Sequence, residues 1–386
     1  MIPSPQHSPS PVAEPASAFV DSATATALGP WPGTDPVEAA KVSVGIFPGP
    51  NLPFLPQLPA RGVGSDSIGR TAVLLPELPV DVQPYGWRFV DRAGLDFRRA
   101  ESALSTDINV LADVVGAGEL SPAAFKVHVA GPFSLAASIH LHYGERAVRD
   151  YGARRDIGQS LAAGLQVHAL KVQSAVPGTA LTLQIDEPHI AAVLAGSIPT
   201  ASGYRTLRAI PRSELRQTWS DLVAAAREAG FSQIAINLAP AEQALAAKAP
   251  AERSPSDAAD GASAIEATMW RQALEIALEA GIDAVAVPLN RLDGGHWEML
   301  AGALESGVGV WAGTVPVSAG QAPPSYAALV ERIMRPWRKL GLAESGLNQL
   351  RITEESSLAV LTPQEARAVL GRSLDVAQAL GDIRNA

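Results

Sequence analysis

The chain contains no cysteine. That removes disulfide frameworks, thiolate nucleophiles and cysteine-rich zinc sites in one step, and it is compatible with a reducing compartment. Basic charge is also scarce. There are 30 Lys and Arg against 39 Asp and Glu, for a net charge of -9 and a pI near 5.3. A general nucleic-acid binder would show a basic field, and no Lys/Arg cluster is interleaved with aromatics here, so no nucleic-acid partner is expected. No apolar run approaches the ~18 residues of a membrane helix, so no membrane partner is expected. The opening "MIPSPQHSPSPVAEPASAF" has neither Lys nor Arg and no continuous apolar stretch. It reads as a disordered Pro/Ser-rich tail over 1–22 rather than a secretory signal, which makes the cytoplasm the expected location. The nucleotide-loop patterns G-x-G-x-x-G and G-x-x-x-x-G-K-[ST] are missing, and so is the G-x-S-x-G elbow of serine hydrolases.

What is present is an ordinary globular composition, 47% hydrophobic and 18% charged, in 386 residues. Short apolar runs alternate with longer helical patterns. Eight runs are candidate strands: "TATALG" from Thr24, "TAVLLPEL" from Thr71, "FKVHVAG" from Phe125, "ALTLQIDEP" from Ala180, "FSQIAINL" from Phe231, "DAVAVPL" from Asp283, "GVGVWAGTV" from Gly307 and "NQLRITE" from Asn348. Helical signals separate most of them. The last helix opens "TPQE", with Thr362 as cap, Pro363 at the first helical position and Glu365 closing a capping box. Eight strands alternating with helices predict an α/β chain folded as a single (β/α)8 TIM barrel over 23–386. Two segments interrupt the rhythm. The Pro- and Gly-rich stretch 43–70 reads as a long loop, either a lid with Arg61 and Arg70 facing an anion or a plain surface loop. The Ala/Pro/Asp-rich stretch 240–264 reads as a flexible insertion.

Against that frame, "LTLQIDEPHI" (181–190) carries the strongest chemical signal. Alternation puts Leu181, Leu183 and Ile185 on one face and Thr182, Gln184 and Asp186 on the other. In a barrel the polar face points inward, so Asp186 looks inward at the C-terminal mouth, where barrel enzymes place their sites. It either meets a ligand or caps a neighbouring loop. Glu187 follows and can turn outward. Other residues at or near strand ends are Glu77, His128 (on the same face as Lys126), His189, Asn237, Asn290, Glu354, Glu355 and Ser356. His140 and His142 form a His-x-His pair without a third ligand spaced beside it, which favours ordinary hydrogen bonding over a metal. His296 opens a helix as a cap neighbour. Trp31, Trp87 and Trp311 read as packing, with Trp31 directly after a strand end.

Three of these stretches resemble one family. "TATALGPWPGTDP" resembles the T-T-x-I-G-S-[FW]-P opening of the C-terminal catalytic barrel of cobalamin-independent methionine synthase; "VHVAGPFSLAAS" resembles its G-P-x-T strand and helix start; "LQIDEPHI" resembles its Q-I-D-E-P strand. The order and spacing match from about Thr24 to Leu380, and the chain resembles short, single-barrel members of actinobacterial type. The wider superfamily includes uroporphyrinogen decarboxylase, whose Arg-rich tetrapyrrole pocket has only Arg61, Arg70 and Arg88 as loose support here. The resemblance implies an S-methyltransferase barrel, with a folate-like methyl donor and a homocysteine-like thiol bound to zinc. It also implies that the zinc ligands would fall on Ile236, Leu238, Pro288 and Ser356. None of these is a usual zinc ligand, so no metal and no other cofactor is expected. A pseudoenzyme, a non-catalytic barrel that binds an amino acid or folate-like small molecule or serves as a scaffold, is the alternative that follows. By the same resemblance Asp186 would hold a substrate ammonium group, Glu77 would be a second acid, and amides near Gly29 would meet a carboxylate. The expected ligand-binding set is thus Asp186, Glu187, Glu77, Gly29, Trp31, His189 and Asn237.

Overall fold

The computed structural model of the protein describes residues 22–240 and 255–385. The predicted tail (1–22), all but its last residue, and 241–254 of the predicted insertion (240–264) therefore lie outside the described residues. Among the described residues the nine strands are β1 (Thr24–Ala25), β2 (Val80–Gln83), β3 (Gly86–Phe89), β4 (Ala124–Ala130), β5 (Ala180–Asp186), β6 (Phe231–Asn237), β7 (Ala284–Pro288), β8 (Gly309–Val315) and β9 (Leu350–Glu354). Seven of them form one parallel sheet in the order β1-β9-β8-β7-β6-β5-β4, a half-barrel wrapped by helices. Sequence neighbours are sheet neighbours from β4 to β9, as helical crossovers between parallel strands require.

The strands are apolar on their outer side because helices cover it. Ile185, Ile234, Ile236, Val285 and Val287 join the large core between sheet and helices, whereas Ala235, Ala284, Ala286, Leu28 and Trp311 form a smaller cluster on the inner face. Near-continuous hydrophobic strands with small residues inside are what a sheet buried on both faces demands.

Seven of the eight predicted runs contain a strand. The run from Thr71 does not: Ser67–Ala72 is a helix capped by Asp66, and the chain beyond it is a loop. A short apolar run cannot be told from a buried helical turn by periodicity. Instead the extended segment Leu52–Gln57 lies between the two edge strands. Leu52 N–H donates to Ala25 O (3.0 Å) and Gln57 N–H to Gly29 O (3.0 Å) on the β1 side. Leu55 N–H donates to Lys126 O (2.9 Å) and Lys126 N–H to Pro53 O (2.8 Å) on the β4 side. Pro53 and Pro56 have no N–H to give, so this pairing reduces to isolated bridges. The stretch 43–70 is accordingly no lid. Ser43 is buried in the helix Pro36–Ile46 and its hydroxyl bonds both N–H and C=O of Phe54, while Leu52, Phe54, Leu55 and Leu58 are core. Arg61 and Arg70 both bind Asp107, which is buried in the helix Leu95–Ala117.

The hairpin β2–β3 (Val80–Phe89) was missed by the sequence reading. It turns at Pro84 and Tyr85 and joins the segment after β4, where Phe89 N–H donates to His140 O (2.9 Å) and His140 N–H to Trp87 O (2.8 Å). The capping box at Thr362 is present as read: Thr362 Oγ1 accepts from Glu365 N–H, and Glu365 accepts from Thr362 N–H at 2.8 Å. His296 completes a similar box with Asp293.

Candidate functional site

Alternation along β4, β5 and β6 brings a polar layer onto the inner face. Lys126 pairs in register with Thr182, His128 with Gln184, and Asp186 with Asn237. Asp186 ends β5 and is half-buried. Its Oδ1 accepts from Gln184 Nε2 (2.7 Å) and Asn237 Nδ2 (2.7 Å), whereas its Oδ2 carries no hydrogen bond among the described residues. Gln184 Nε2 also donates to Leu28 O (2.8 Å), tying β5 to the chain after β1. Asn237 is locked in turn, its Oδ1 accepting from Ala239 N–H (3.0 Å). One oxygen of the carboxylate is thus fixed and the other is without a hydrogen bond among the described residues.

Below it sits Lys126, wholly buried, donating to Ala27 O and Gln184 Oε1. Its ammonium lies 5.3 Å from the Trp311 ring centroid and 5.5 Å from that of Phe54. Arg351 covers Trp311 at 5.2 Å and bonds Thr24 and Gln233. Glu354 accepts from Leu28 N–H (2.7 Å) through Oε1, and its buried Oε2 has no partner among the described residues. Desolvation governs the protonation of the whole layer. Burial pushes Lys126 down, partly offset by attraction to Asp186 and Glu354; burial pushes Asp186 and Glu354 up, against their hydrogen bonds and Lys126. Arg351 was not singled out from the sequence, and Trp311, read there as packing, carries both cations over its ring. The polar-apolar alternation of "LRITE" and "FKVHV" was the available signal.

The remaining expected residues fall in several places. Glu187 is fully buried and turned to the outer side. It accepts from Phe133 N–H (3.2 Å), Ser134 N–H (2.8 Å), Ser134 Oγ (2.7 Å) and Trp219 Nε1 (3.2 Å), so it caps the helix Pro132–Ser138. Gly131 makes room for it: a Cβ there would lie 2.3 Å from Glu187 Oε1. Gly29, at φ +130°, packs on the ring of His128, where a Cβ would lie 2.3 Å away. His128 itself is buried with both ring nitrogens unpartnered among the described residues, and burial with Lys126, Arg70 and His168 nearby holds its pKa well below the usual value. Trp31 is core, its backbone N–H donating to Gln57 O (2.7 Å). His189 precedes the helix Ile190–Ala195, and burial and Arg146 hold its pKa down to about 4. Glu77 is exposed, in a cleft on the outer helical layer and not in the layer at Asp186. His140 bonds Trp87 O through Nδ1 (3.2 Å) and meets Tyr85 edge-on, while His142 is exposed.

A zinc ion does not fit the positions that the resemblance assigned to it. Ile236 packs outward in the large core, Leu238 is fully buried, Pro288 ends β7 and Ser356 stands in the loop after β9. The inner-face residues at the end of β6 are Asn237 and, by alternation, Ala239, so the assigned pair is also one residue out of register with the inner face. Among the described residues no group of three His, Asp or Glu side chains is placed to hold a metal ion. No helix is long and apolar enough to cross a membrane, again among the described residues.

No protein-family model and no curated protein matches this chain. Its fold does match solved structures. A B12-independent methionine synthase from Shewanella sp. W3-18-1, solved with selenomethionine, superposes with a TM-score of 0.55 at 11% identity, covering 95% of this chain and 99% of that one. A structure provisionally described as a vitamin-B12-independent methionine synthase from Listeria monocytogenes gives a TM-score of 0.50 at 13% identity, covering 92% and 98%. At such identities the likeness is one of fold.

Proposed function

We propose that this chain is a methionine synthase-like (β/α)8 barrel, with Leu52–Gln57 as its eighth wall segment, and that it binds an amino-acid-like molecule through the free Oδ2 of Asp186. The observation that carries the reading is the asymmetry of that carboxylate. Two amides fix one oxygen at the C-terminal end of β5, and the other, on a half-buried side chain, has no hydrogen bond among the described residues. A primary ammonium group is the complementary ligand. The selenomethionine in the Shewanella neighbour supports an amino acid as its bearer.

Binding is favoured over methyl transfer. The family activates a thiol on zinc, and the residues at the assigned positions cannot hold one. A side-chain base would have to replace the metal. His140 is tied to Trp87 O beneath Tyr85, and His189 has a pKa of about 4. Moving a proton from a thiol of pKa ~8.5 to such an imidazole is uphill by roughly 6 kcal/mol. The test is calorimetric titration with methionine and homocysteine, alongside metal analysis of the purified protein. Micromolar to millimolar binding that is lost in Asp186→Asn is expected. One tightly held zinc per chain, or binding indifferent to Asp186, would overturn the proposal.

A further inference from the structure

The outer helical layer holds a second arrangement that the mouth does not use. The loop Val73–Pro79 and the helices Leu95–Ala117 and Tyr151–Ala175 enclose a cleft of about 290 Å³. Its walls are largely apolar, with Leu74, Phe97, Leu104 and Ile108 among them. The cleft is set by backbone packing: a Cβ on Gly164 would lie 1.8 Å from Leu74 O, so the loop rests directly on the helix. Only glycine permits that approach.

One polar group in this lining is unsatisfied. His168 is 2% exposed and neither ring nitrogen has a hydrogen bond among the described residues; Nδ1 is fully buried. Burial, with Arg70 and Lys171 close by, holds its pKa down to about 4, so at neutral pH it is an uncharged imidazole with one N–H to give. With Nδ1 sealed, Nε2 is the nitrogen a ligand can reach, and a leucine or phenylalanine at this position would offer no such donor. Lys171, one helical turn on and also in the lining, is exposed and forms no ion pair among the described residues. The other end of the cleft is acidic. Pro76 O accepts from Ser160 Oγ (2.6 Å), which places neighbouring Glu77 by residue 160 of the helix. Lys171 lies eleven residues further, roughly 16 Å along the axis. Glu101 is the other acid of the lining.

We propose that this cleft is a binding site for a small monocarboxylate with an apolar body, its carboxylate received by His168 and Lys171 and its chain lying along Leu74, Leu104 and Ile108. The volume, at the lower end of small-molecule pockets, suits a body of a few carbons. Glu77 and Glu101 repel a second carboxylate, so dicarboxylates are excluded. The proposal is independent of the Asp186 reading, because none of its residues belongs to the mouth.

Hexanoate is the probe, titrated into the full chain by calorimetry and by thermal shift, with hexan-1-ol, hexylamine and adipate as comparisons. Hexanoate is expected to bind and stabilise, with the other three at least about tenfold weaker, the worth of one charge-assisted hydrogen bond. Lys171→Glu, an exposed substitution that leaves folding intact, is expected to weaken hexanoate by at least about the same factor. His168→Phe is expected to abolish binding while leaving methionine binding at Asp186 unchanged. Absence of hexanoate binding, equal binding of hexan-1-ol, or binding indifferent to Lys171→Glu would each overturn the proposal.

Discussion

Asp186 and Glu187 are adjacent acids at the end of one strand, and they do opposite work. Glu187 faces the helices, is fully buried and accepts four hydrogen bonds, so it stitches β5 to the helix Pro132–Ser138 and to Trp219. Asp186 faces the inside, is half-buried and keeps one oxygen unbound among the described residues. Strand alternation alone separates them. The lesson is that a paired-acid motif need not be a paired-acid site: one carboxylate builds the wall that presents the other.

The largest effect that would break this contrast is at Glu187. Glu187→Ala leaves three donors of the helix start and the Trp219 indole without their acceptor, and a loss of about 3–5 kcal/mol in unfolding free energy is expected from denaturant titration. A loss below 1 kcal/mol would mean that the network is not structural. Asp186→Asn should do the reverse. An amide oxygen can still accept from Gln184 and Asn237, so stability should change by less than about 1 kcal/mol while affinity for an ammonium-bearing ligand falls about tenfold or more.

The two faces also differ in their response to acid. Burial raises Glu187 to about 7 against the pull of its hydrogen bonds. The folded chain then holds a proton that the unfolded chain releases between about 4.5 and 7. Its contribution to stability therefore grows as pH falls through that window and is lost as pH rises through 7. Thermal melts of Glu187→Gln against the parent should show the parent gaining relative stability on going from pH 7 to pH 4.5; a constant difference would place the carboxyl at its ordinary value. The smallest effect is expected at Ser134→Ala, which removes one hydrogen bond to Glu187 at 2.7 Å and should cost about 1 kcal/mol, with ligand affinity at Asp186 unchanged.

Much of the scaffold was legible because parallel strands buried on both faces are short, apolar and evenly punctuated. Seven of the eight runs were placed, and Asp186 was read as the inward residue of β5 from alternation alone. The failure at Thr71 has a physical cause. The wall segment is "LPFLPQ", whose prolines disguise an extended stretch as a loop, while "TAVLL" carries β-branched residues into a helical turn. The environment of Asp186 was harder to see. Its amide partners come from the same strand and the next one, and Arg351 comes from a strand 165 residues further along the chain. Only the register of the sheet joins them. Glu77 misled because its strand does not exist; the loop carries it to the outer layer.

Leu52–Gln57 also sets where the wall is weakest. Between β4 and β5 a full seven-residue ladder holds the sheet, but across this segment two prolines leave only a handful of bonds on each side. Lys126 sits against that seam, with Phe54 over its ammonium. Amide protons of Leu52, Leu55 and Gln57 should therefore exchange with solvent sooner than those of β5, and the buried ammonium should be reached by water from the side rather than through the mouth.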